Sequence, residues 1–239
     1  MCQDHKTVNL SRREFVAGAG LLLAGGAVRP AFAEPKADMK PAPNAIPPEE
    51  AFERLKAGNA RYVSGKVQQK DCSARRAALV DAQHPIAGIL SCADSRVPPE
   101  IIFDQGGGDL FVSRDAGNVV SNYGLASFEF AVNNLGVPLI FVLGHANCGA
   151  VAAALGASTS RKELPGHLPE LVKAIEPAII TAHGKHPGDF LAASIEENVR
   201  LGMKRLKTKS EIIGNAVSAG KLGIKGGVYD LKTGAVTFI

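Results

Sequence analysis

Residues Ile86–Arg96 read Ile-Ala-Gly-Ile-Leu-Ser-Cys-Ala-Asp-Ser-Arg. An apolar run with the look of a buried strand gives way to a thiol, a carboxylate and a guanidinium at alternate positions: Cys92, Asp94 and Arg96. Pro138–Gly149 repeats the design, with Leu-Ile-Phe-Val-Leu-Gly followed by His145, two residues, Cys148 and Gly149. Two buried strands that each end in soft nitrogen or sulfur ligands are what a metal site at the edge of a sheet requires. The rest of the chain reads as scaffold that brings those two strand ends together.

Around these two runs the chain alternates strand and helix signals. Pro48-Glu49-Glu50 opens a helix to about Tyr62, with acidic residues in its first turn to suit the helix dipole. A second helix is expected from a cap at Ser73 through Ala82. Strands are expected at Pro85–Ser91, Asp109–Ser113 and Leu139–Leu143. Helices are expected at Pro98–Phe103, Asn122–Leu135, Asn147–Leu155, Pro169–His183, Gly188–Lys207 and Glu211–Ala219. Ser158–Gly166 reads as a polar loop, and Gly227–Leu231 and Ala235–Ile239 flank a Gly234 turn as a closing β-hairpin. Strands separated by helical crossovers predict a single α/β domain, its central sheet mostly parallel and flanked by helices, with a mixed edge at the hairpin.

A chain of 239 residues suits one large domain. The formal charge of +4 is no nucleic-acid signature, because the first 33 residues hold four basic and two acidic side chains and so carry half of it. Beyond that N-terminus no apolar run is long enough for a membrane span. Ser11-Arg12-Arg13-Glu14-Phe15-Val16 resembles a twin-arginine export signal, with an apolar Val16–Val28 segment and a small-residue cleavage site at Ala31-Phe32-Ala33. The expected organisation is a signal peptide over residues 1–33, a Pro-rich linker over 34–47 and the metal-site domain over 48–239, with the protein exported to the periplasm. Cleavage removes Cys2 and leaves Cys72, Cys92 and Cys148, an odd number that argues against a disulfide scaffold.

Cys92, His145 and Cys148 are the expected metal ligands. A lone cysteine at a strand end is usually a small buried hydrophobe, and His-x-x-Cys by itself is weak; their joint placement after two strong strands makes the case. Cys148 at the start of a helix has its thiolate favoured by the dipole. Three protein ligands leave a fourth position for water, the arrangement of a catalytic zinc ion. Asp94 and Arg96 can pair, which keeps Asp94 ionised and pointed at the metal-bound water; unpaired, Asp94 is a possible fourth ligand in a closed state. His183-x-x-His186 reads as a solvated loop, and Cys72 has no assigned role.

Cys92-x-Asp94-x-Arg96 with His145-x-x-Cys148-Gly149 resembles the paired signatures of the β-class carbonic anhydrases. Gly108-Asp109-Leu110-Phe111-Val112-x-Arg114-x-x-Gly117-Asn118 and Gly226-Gly227-Val228-Tyr229-Asp230-Leu231 are similar to two further segments of that family. The resemblance implies reversible hydration of CO2 to bicarbonate and a proton by zinc-bound hydroxide. It implies Zn2+ on Cys92, His145 and Cys148, and a catalytic dyad of Asp94 and Arg96. It further implies a substrate site at Gln83, Phe111, Phe130 and Gly149, with Phe130 standing where the family commonly has Tyr. Ile89 stands where the allosteric subgroup carries Trp, which implies the open type. Family members are dimers or larger, with an N-terminal helical arm, here Glu34–Tyr62, embracing the neighbour. A related hydrolase of carbonyl sulfide or carbon disulfide would use the same residues. A non-catalytic zinc or bicarbonate-binding module would lose the dyad first, and a thiol redox protein would need a Cys-x-x-Cys that is absent.

Overall fold

The computed structural model describes residues 42–70, 72–160, 164–185 and 188–239. The signal peptide expected over 1–33 and His186 lie outside them. Strand β1 (Ala87–Ser91) is buried along its whole length, and so is β3 (Leu139–His145). These are the two apolar runs of the sequence, and they pair in parallel at the middle of a five-stranded sheet. β2 (Leu110–Arg114) adds in parallel to the outer side of β1, and β4 (Gly223–Tyr229) to the outer side of β3. Antiparallel β5 (Val236–Phe238) completes the order β2-β1-β3-β4-β5.

One face of the sheet is covered by helix α1 (Pro48–Val63) and the short α3 (Pro99–Ile102), and Cys72–Ala78 forms a second short helix, α2. Phe52 of α1 meets Phe141 and Phe238, and Phe103, just past α3, meets Phe141 edge-on at 5.4 Å. The opposite face carries Leu90, Ile140 and Val142. They pack with Phe128 of α4 (Asn122–Leu135), with Val199 and Leu206 of α7 (Phe190–Lys209) and with Ile213 of α8 (Glu211–Ser218). Helices α5 (Gly149–Ser160) and α6 (Leu168–His183) join α7 in a third apolar cluster that includes Cys92 and Cys148.

The ends of α4 follow its sequence: Ser121 accepts the Gly124 N–H at the amino end, and Gly136 takes the left-handed conformation (φ 65°) after Leu135. Helix α1, the helical part of the expected arm, packs Ala51, Phe52 and Leu55 into its own chain's core. The Pro-rich stretch is tied down before residue 48, because buried Asn44 donates to the carbonyls of Pro85 and Leu135. Helix α5 begins at Gly149 rather than Asn147, whose positive φ of 54° belongs to a turn, and it continues to Ser160 into the expected loop. Strand β4 begins at Gly223, four residues before the hairpin expected from Gly227. Glycine is a poor strand former, yet a Cβ at Gly226 would stand 2.6 Å from Val199 Cγ1 and 2.8 Å from Met203 Sδ. Glycine therefore lets α7 lie close against the sheet. Among the described residues no helix is long and apolar enough to cross a membrane.

Gly226→Ala is expected to lower unfolding free energy by about 1–3 kcal/mol through overpacking. Gly107→Ala, whose added Cβ would meet nothing within 4 Å, should stay within about 0.5 kcal/mol of the parent. Denaturant unfolding of both variants checks this, and equal effects would refute the packing argument.

Candidate metal centre

The chain leaves β1 toward β2 on one side and leaves β3 toward β4 on the other, so the strand order reverses between β1 and β3. Open α/β sheets bind ligands in the crevice at the carboxyl ends of such strands. Cys92 is the first residue past β1. His145 is the last residue of β3, two beyond the Leu143 that pairs with Ser91. The left-handed Asn147 turns the chain so that Cys148 and Gly149 enter α5 beside them.

One ligand atom each from Cys92, His145 and Cys148 lies within 4.8 Å of the others, and all three residues are buried. Two donors on one tetrahedral zinc ion stand about 3.8 Å apart when the bonds are about 2.3 Å, so only a small contraction is needed. His145 Nδ1 lies 2.9 Å from the Ala146 carbonyl oxygen, an acceptor that assigns the ring proton to Nδ1. Nε2 is thereby left as a lone-pair donor, buried and without a hydrogen-bond partner among the described residues. A buried unpaired nitrogen is costly in a folded protein. Its orientation by a backbone carbonyl on the far side of the ring is the usual support of a metal-bound imidazole. This donor set fits zinc.

Cys92 Sγ accepts the N–H groups of Asp94 at 3.4 Å and Gly117 at 3.2 Å. The Cys148 thiol and these donors hold the Cys92 thiol well below its ordinary value of 9.0, against the opposing effect of burial. Cys148, contrary to the thiolate expected at the start of a helix, is pushed up: its hydrogen bond to Cys92 and its burial outweigh the Val151 and Ala150 N–H groups. The pair thus holds one proton that a divalent cation can displace.

Asp94 turns its carboxylate to Arg96. Arg96 Nε lies 3.0 Å from Oδ1 and Nη2 lies 2.8 Å from Oδ2, while the Arg96 backbone N–H meets Oδ1 at 2.9 Å. This fork holds the Asp94 carboxyl well below 3.8. Asp94 Oδ2 is 3.8 Å from His145 Nε2, and the Asp94 carboxylate does not belong to the three-residue ligand group.

Gly149, the exposed first residue of α5, borders Cys148. The other expected substrate residues lie on other elements. Gln83 is exposed before the amino end of β1 and lines a cavity of about 730 Å3 with His84, Asn134 and Leu135. The five residues of β1, at about 3.3 Å each, separate that end from Cys92. Phe111 is half-buried on edge strand β2, and Phe130 is 45% exposed on α4. His183 packs its ring against Phe190 at 5.7 Å, a structural contact. Sequence reasoning gave no role to the tail of β2, yet Ala93 N–H donates to the Asp115 carbonyl and Asp115 N–H to that of Ser91. Buried Asn198 holds the Gly117 carbonyl at 2.7 Å. Backbone donors of this kind leave no residue-type signal to read.

Comparison with known proteins gives a consistent result. The family profile described as carbonic anhydrase matches residues 87–236. A carbonic anhydrase of Mycolicibacterium smegmatis is 41% identical over 195 residues, covering 79% of this chain and 92% of that protein. Carbonic anhydrase 2 of Mycobacterium tuberculosis is 42% identical over 193 residues, covering 78% and 90%. A solved tetrameric β-carbonic anhydrase of Sordaria macrospora superposes with a TM-score of 0.62 at 25% identity, covering 80% of this chain and 97% of that one.

The depressed Asp94 pKa carries a pH dependence. A carboxyl whose folded pKa lies below its unfolded value contributes stability that is complete above about pH 5 and fades as the pH falls toward the folded value. In metal-free protein, wild type should therefore exceed Asp94→Asn in thermal stability at pH 5–7, with the gap closing below about pH 4. A gap independent of pH would show that the fork adds no stability.

Proposed function

The chain belongs to the β-class carbonic anhydrase family, and we propose that it hydrates CO2 with a zinc ion held by Cys92, His145 and Cys148, assisted by Asp94 and Arg96. One observation carries the choice of ligands: His145 Nε2 is buried without a partner among the described residues, beside two thiols, with its ring fixed from behind. When bound, zinc supplies a Lewis acid that makes a nucleophile from water near neutral pH.

The residues of the chain then divide the remaining work. Asp94, kept ionised by Arg96, is an acceptor only, so it takes a hydrogen bond from the O–H of the attacking group and turns that group's lone pair toward carbon. Arg96 keeps the carboxylate turned away from the ligand group, which leaves room for water. The thiolates of Cys92 and Cys148 would cancel the formal charge of a bound Zn2+, so water there would be less acidic than with three imidazoles, and activity is expected to rise above neutral pH. Gly149 contributes a backbone N–H at the start of α5 to the bicarbonate product.

Gln83, Phe111 and Phe130 are assigned to the substrate pocket through a homodimer or larger assembly in which a second copy brings them to the metal. Tyr123, 89% exposed, and Phe130 leave aromatic surface on α4 that a neighbour would cover. The tetrameric relative supports this assembly. Residues 1–33 are proposed to direct export to the periplasm and to be removed after Ala33.

The exported protein is expected to begin at Glu34, to sediment as a dimer or larger, and to retain about one zinc per chain. Stopped-flow hydration of CO2 should rise from pH 7 to 9. Asp94→Asn should keep its zinc and lose about a hundredfold or more in kcat. A pH–rate profile flat from 6 to 9 would contradict the two-thiolate argument. Faster turnover of carbonyl sulfide or carbon disulfide than of CO2 would reassign the substrate.

A further inference from the structure

Arg114 closes β2, paired in register with Ser91 at the end of β1. Its guanidinium does not meet a carboxylate among the described residues. It turns instead to backbone: Nε donates to the Cys92 carbonyl at 2.9 Å, and Nη2 donates to the Asp94 carbonyl. The intervening Ala93 N–H donates to the carbonyl of Asp115, the next residue of the same segment. Cys92, Ala93 and Asp94 are therefore each tied to Arg114 or Asp115, and Gly117 of the following turn donates to Cys92 Sγ.

The geometry points to Arg114 as a positioning residue that fixes the Cys92–Asp94 turn, and with it the placement of the ligand thiolate relative to the dyad carboxylate. The inference rests on the zinc reading above. The turn follows the last residue of β1, past the end of the ladder to β3 at Ser91 and Leu143; Gly144 and His145 pair with β4 instead. Its remaining neighbour is β2, the edge of the sheet, so the support must come from that side. Two carbonyls two residues apart suit a planar fork of N–H donors, and a lysine nitrogen on a flexible stem lacks that preset geometry. Arg96 and Arg114 thus have complementary roles. Arg96 orients the Asp94 carboxylate, while Arg114 holds the backbone from which both Asp94 and Cys92 project. A ligand whose supporting contacts are lost typically weakens metal affinity by about tenfold to a hundredfold.

The test compares zinc-loaded wild type with Arg114→Gln and Arg114→Lys, the latter keeping the charge if the neutral variant is too unstable to purify. Zinc release to a chelator should be about tenfold or more faster in Arg114→Gln, with Arg114→Lys between it and wild type. The visible spectrum of the Co2+-substituted Arg114→Gln protein should change, and kcat should fall with KM little altered. Wild-type release rates and an unchanged cobalt spectrum in the variants, whatever their melting temperature, would overturn the positioning role alone. A wild type that retains no zinc would overturn the metal centre itself, and the positioning role with it.

Discussion

Two buried thiols and a buried imidazole nitrogen are gathered at one spot, and the nitrogen finds no hydrogen-bond partner among the described residues. The paired thiols pull apart, Cys92 lowered and Cys148 raised. Burial of this kind opposes folding unless a cation enters to satisfy all three donors at once. Much of the surrounding architecture serves to hold that cluster. The parallel pairing of β1 and β3 sets Cys92 and His145 side by side at the point where the strand order reverses, and the Asn147 turn returns Cys148 to the same spot.

The sheet in turn depends on how closely its helices approach. Glycines at 144 and 226 admit Val199 and Met203 of α7 to the backbone of β3 and β4. Asn198, the neighbour of Val199 on that helix, holds the Gly117 carbonyl, whose residue donates its own N–H to Cys92. The seating of α7 and the support of a ligand sulfur are thus linked through one turn of backbone. The tail of β2 has the matching position on the other side, so the Cys92–Asp94 turn is held by elements that are distant in sequence.

Much of this was legible before any coordinates. The apolar runs of β1 and β3 are too strongly patterned to be misread. Helix α4 spans Asn122–Leu135 as expected because a serine cap and a glycine stop bound its periodic face. The clustering of Cys92, His145 and Cys148, and the pairing of Asp94 with Arg96, could be anticipated from residue type and spacing. Strand β4 was legible only from Gly227, because Gly223 and Gly226 give no strand signal until α7 is known to need the space. Helix α1 was legible as a helix with one apolar face, but its acidic start and modest apolar content do not reveal which surface that face covers; Phe52 packs on its own chain's Phe141. Gly117 and Asp115 act through main-chain groups, which carry no signature in the sequence. Gln83 and Phe130 could be picked only by resemblance.

The central claim is that three side chains from two neighbouring strand ends hold one zinc ion and leave it an exchangeable position. X-ray absorption at the zinc edge of the loaded protein tests this most directly. The account predicts two sulfurs at about 2.3 Å and two lighter nitrogen or oxygen atoms at about 2.0–2.1 Å. A shell of four sulfurs, or one with no sulfur at all, would contradict it.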